Sequence, residues 1–160
     1  MDYEIRNIDD IEVKDMIILP LFENSINDSN CNISLLSEGD SVPKKVYEYF
    51  KGCDDQSELV HFDTYSLYLV GLGKEIDWNK LVANIGKVVS KIYGHENIEN
   101  VQILLTCSNL DLELVINAFM ISFYRFIDYK TIGVSKYIKK VYFVVDIDEY
   151  DKCNLSIQMG

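Results

Sequence analysis

The sequence predicts an α/β fold in which helices cover both faces of a largely parallel or mixed central sheet. The continuous apolar run at residues 16–22 is what a strand buried on both faces needs, and residues 67–70 and 141–145 read as further strands. Between them lie two helix-length segments, 77–93 and 110–126, with apolar residues at spacings of three and four. Strands alternating with helices of this length favour right-handed crossovers. A chain of 160 residues is one domain's worth, with no internal repeat and no linker to split it.

Tyr3, Ile5 and Ile8 alternate loosely into a first strand, and Ile11 and Val13 lead into the second at 16–22, with residues 7–10 as the polar turn between them. Residues 23–40 turn polar, through Asn27-Asp28-Ser29-Asn30 and Glu38-Gly39-Asp40. They read as a long loop or small subelement, which Ile33, Leu35 and Leu36 could anchor. Pro43 suits a first helical turn; Val46, Tyr47 and Phe50 supply a short apolar stripe, and Gly52 ends that helix. After Asp54-Asp55, residues 59–62 and 67–70 read as neighbouring strands, the second running straight into Gly71-Leu72-Gly73-Lys74.

In the helix at 77–93, Trp78, Leu81, Val82, Ile85, Val88, Val89 and Ile92 share one face. Asp77 is placed to cap its start and Gly94 to close it. Residues 101–105 make another strand. The helix at 110–126 carries Leu112, Val115, Phe119, Phe123 and Phe126 on one side and Leu114, Ala118 and Ile121 on the other, so it must be covered on two sides. The core is expected from Trp78, Val82, Val89, Phe119, Phe123 and Phe126. The strand at 141–145 ends in the acids Asp146, Asp148, Glu149 and Asp151.

Composition narrows the function classes. At 48% apolar and 26% charged residues the chain can build a packed core, which excludes a disordered scaffold. Fifteen basic residues against 26 acidic ones leave a net charge of −11, which opposes a polyanion, so nucleic acid is not an expected partner. The aromatic residues at 119, 123, 124, 126 and 129 have the spacing of a helix packed on a sheet, and the net negative charge of the chain opposes a base-stacking platform. The longest apolar run, 16–22, falls far short of the roughly 18 to 20 residues that cross a bilayer, so no membrane partner is expected. The acidic start Met1-Asp2-Tyr3-Glu4 does not read as a secretory signal, which predicts a cytoplasmic protein with reduced thiols.

Gly71-Leu72-Gly73-Lys74 offers the sharpest chemical motif. Between a strand and a helix, glycines let backbone amides approach a phosphate, and the helix start favours an anion. Gly71, Gly73 and Lys74 are therefore the ligand-binding candidates. Position 76, however, is Ile where a dinucleotide fingerprint has its third glycine, Asp77 puts negative charge at the helix start, and the phosphate-loop pattern is not satisfied. A tight strand-to-helix turn is the favoured reading.

The acids at 146–151 follow a strand's carboxyl end, a frequent ligand position, but lack the glycine and terminal glutamate of a calcium loop. His61 and His95 have no partner at metal-ligand spacing and read as surface imidazoles. Cys31, Cys53, Cys107 and Cys153 form no C-x-x-C pair. Cys107, between a strand and a helix start, lies where a thiol can be activated, yet no base accompanies it, so a buried structural cysteine is favoured. No G-x-S-x-G and no H-E-x-x-H phrase occurs, and no catalytic residue or metal ligand is assigned.

Three features in order carry a resemblance: Phe50-Lys51-Gly52; the strand at 67–70 ending in Gly71-Leu72-Gly73-Lys74; and Tyr124-Arg125-Phe126 followed by Tyr129-Lys130. Over roughly residues 13–146 the chain resembles the amino-terminal domain of the leucine (cytosol) aminopeptidases. The resemblance implies a macro-domain-like three-layer α/β/α sandwich, with a mixed, mostly parallel central sheet, appended to a separate catalytic domain. In that family the two divalent metal ions, zinc or manganese, the catalytic lysine and arginine and the N-T-D-A-E-G-R phrase belong to the carboxyl-terminal domain, and none of these occurs here. The implied partners are the chain's own peptidase domain and sister subunits of a homo-hexamer, and the implied roles are assembly and access to the active sites. This makes the chain either an excised domain or a reduced relative, the latter a self-standing assembly or inhibitor protein. Taking the macro-like architecture literally gives the rival expectation, a module binding ADP-ribose or a related nucleotide near residues 71–74.

Overall fold

A computed structural model describes residues 2–10, 12, 14–23, 44–62, 64–93, 98–105, 111–129 and 138–146. In chain order the elements are β1 (Asp2–Asn7), a 3-10 turn (Ile8–Asp10), β2 (Asp15–Phe22), α1 (Lys44–Tyr49), β3 (Ser57–His61), β4 (Tyr65–Gly73), α2 (Trp78–Tyr93), β5 (Asn100–Leu104), α3 (Leu112–Tyr129) and β6 (Lys140–Val145). The six strands form one sheet in the order β1-β6-β5-β2-β4-β3. Every neighbouring pair is parallel except the β3–β4 hairpin, so the sheet is mixed and mostly parallel, as expected.

The apolar runs are continuous because both faces of the sheet are covered. Met16, Ile18, Tyr68, Val70, Val101, Ile103, Val141 and Phe143 point to one face and join α2 and α3 through Leu81, Ile85, Val88, Val115, Phe119 and Phe123. Ile17, Leu19, Leu21, Leu67, Leu69, Leu104 and Val144 point to the other, where Phe50 and half-buried Val46 bring in α1. Among the described residues the layers are therefore α2 and α3, the sheet, and the shorter α1.

Crossover handedness accounts for this division. The connections β4–α2–β5 and β5–α3–β6 step along the sheet in one direction and place their helices on one face. The steps β1 to β2 and β2 to β4 run the opposite way, and Ile8, Val46 and Phe50 of their connections pack on the opposite face. Ile8 packs there, and buried Gln102 of β5 donates its side-chain amide to the Glu12 carbonyl, holding the β1–β2 connection across the sheet.

Several sequence expectations are corrected. The polar turn at 7–10 is a 3-10 turn followed by a crossing segment, and the strands on either side of it are separated by β6 and β5. Asp15 takes a left-handed φ of 58° where that segment re-enters the sheet. The strand expected at 67–70 runs on to Gly73, so Gly71 and Gly73 belong to β4 and not to a turn. Trp78, expected in the core, is 38% exposed. Trp78 is the first residue of α2, and helical side chains lean toward the amino end, away from the turns that follow. Val82 is half-buried against the core, Val89, Phe119 and Phe123 are fully buried, and the Phe126 side chain lies outside the described residues.

Candidate functional site

The phrase Gly71-Leu72-Gly73-Lys74 closes β4 against the segment 52–56 that leads from α1 to β3. Gly71 lies so close to this segment that a Cβ there would meet the Cys53 carbonyl oxygen at 1.8 Å. Gly73 has φ +78°, the left-handed region that glycine enters without cost. The register steps at this point: Leu21 faces Gly71 and Phe22 faces Gly73, so Leu72 is passed over in the pairing.

The amides of this phrase have internal partners. Gly71 N–H donates to the Gln56 carbonyl at 2.9 Å and Gly73 N–H to the Gly52 carbonyl at 2.8 Å. A phosphate cradle needs such N–H groups turned toward the ligand. Both glycine amides are instead spent on joining β4 to the 52–56 segment. Lys74 follows and is exposed. The Asp54 side chain stands beside Gly73, and its carboxylate pairs with Lys80 Nζ at 3.4 Å.

Two polar side chains organise this end of the sheet. Gln56 Oε1 accepts from Lys51 N–H at 2.9 Å and Cys53 N–H at 3.3 Å, while its Nε2 donates to the Tyr49 carbonyl at 3.0 Å. The last bond ties down the end of α1. Buried Asn84 of α2 donates to the Gln56 carbonyl at 3.0 Å and the Gly71 carbonyl at 3.1 Å. Neither residue was marked by the sequence reading, although Asn84 carried a signal: it is a polar residue at helical spacing between Leu81 and Val88 on the apolar face.

The direction of crossover reverses one strand away from Gly71 and Gly73. Beyond β2 the chain leads to the face of α1, and beyond the adjacent β5 it leads to the face of α3. Ligands of open α/β sheets occupy the crevice at such a switch point. Residues 24–43 and 106–110, which follow these two strands, lie outside the described residues, as do Cys31, Cys107, His95, residues 147–160 and Lys130.

The other candidates are dispersed. His61, exposed on the edge strand β3, has Nδ1 2.9 Å from Ser66 Oγ, its cross-strand neighbour. Cys53 is a free thiol whose pKa is raised by its hydrogen bond to the Glu23 carboxylate, by burial, and by the negative charge of Glu23, Asp55 and Asp54. That shift runs opposite to the lowered pKa that activates a thiol nucleophile. Asp146 is exposed at the end of β6. Among the described residues no three His, Cys, Asp or Glu side chains come together as metal ligands. No helix among the described residues is long and apolar enough to cross a membrane.

No family model matches the sequence. No curated protein matches it either. Among solved structures, the chain is similar to a mutant of tomato leucine aminopeptidase, with a TM-score of 0.60 over 98% of this chain and 14% sequence identity. The match takes up 35% of that protein's chain, so the present chain spans about a third of the length of the structure it resembles. The two share an α/β fold.

Proposed function

We propose that this chain is the noncatalytic amino-terminal domain of a metal-dependent leucine aminopeptidase, an enzyme that removes amino-terminal residues from peptides in the cytoplasm. One observation carries the reading: nearly the whole chain, 98% of it, superposes on a third of a leucine aminopeptidase. The ordered phrases at 50–52, 71–74 and 124–130 support it independently of the fold. In this reading the catalytic machinery, including two zinc or manganese ions that activate water, resides in a separate carboxyl-terminal domain. That domain and the sister subunits of a homo-hexamer are the partners. The chain contributes surfaces for assembly and for shaping access to the active sites, which calls for packed structure and not for reactive side chains.

The test is the natural reading frame beyond the codon for Gly160. About 300 further residues containing a lysine- and carboxylate-rich metal centre are expected there, in proportion to the length of the similar enzyme. A natural polypeptide that ends without such a domain would overturn the proposal.

A further inference from the structure

We draw no further inference here: the strongest candidate, the apolar patch on α3 formed by half-buried Leu114 and Ile121 with exposed Tyr124, carries nothing because no feature of the structure shows what covers it.

Discussion

Gly71, Gly73 and Gly86 are three glycines with three different roles, and alanine at each gives a different result. At Gly71 the added methyl would fall 1.8 Å from the Cys53 carbonyl oxygen, so backbone must move. Gly71→Ala should lose about 3 kcal/mol or more in urea unfolding; a loss under about 1 kcal/mol would contradict the close approach. Gly73→Ala meets only the Asp54 side chain at 3.2 Å, but must hold φ +78°, and should cost about 1–2 kcal/mol. Gly86 lies inside α2 with open space around it, so Gly86→Ala should stabilise by about 0.5–1 kcal/mol. The sequence made the need for glycine at 71 and 73 legible, but not its cause, since Cys53 and Gly52 lie far back along the chain. Ionisation adds a fourth test. Burial raises the pKa of Tyr3, which stacks on Phe143 at 6.0 Å between ring centroids. The unfolded chain therefore loses this proton first as pH rises. The stabilisation is fully present below the ordinary tyrosine pKa, about 10, and is lost as pH climbs through the raised folded value. Alkaline unfolding curves should show a steeper stability loss for the native chain than for Tyr3→Phe; identical slopes would place the phenol in water.

The helices were the most legible elements and the sheet's order the least. The apolar period of α2 identified its buried stripe, and Asp77 caps it as expected, its Oδ1 accepting from Lys80 N–H at 3.2 Å. Asp77→Ala should cost about 1 kcal/mol in thermal or urea unfolding, and no change would mean that the cap is idle. The periodicity overreached at Trp78, because spacing says which side of a helix a residue occupies and not whether anything lies opposite it. In α3 the dominant side packs with α2 and the sheet; of the second side Ala118 is fully buried, Leu114 is half-buried against the core and Ile121 is half-buried, while Tyr124 beyond them is 70% exposed. The Asn84 bonds were not legible, since they reach from α2 back to Gly71 and Gln56, across the strand-to-helix connection and the β3–β4 hairpin. Asn84→Ala removes the side-chain donor from the Gly71 carbonyl and should destabilise by about 1–3 kcal/mol.

At the scale of the whole molecule, composition and alternation of elements were enough to predict a mixed, mostly parallel sheet between helices. They did not predict its order. A strand buried on both faces has no polar side to mark its register, so runs such as 16–22 and 141–145 are interchangeable to a sequence reading. The order β1-β6-β5-β2-β4-β3 then divides the connections between the two faces by crossover hand, and it sets the switch point between β2 and β5, one strand from Gly71 and Gly73. In the described residues, buried side chains build the sandwich, the Gly71 and Gly73 amides bind backbone, and the acids around Cys53 push its thiol pKa up. Peptide hydrolysis by the purified 160-residue chain is the most direct test of this view, measured on leucyl p-nitroanilide with manganese or zinc. The expected rate equals that of buffer and metal alone. Turnover that stays with the chain through purification and is abolished by chelation would contradict a noncatalytic domain.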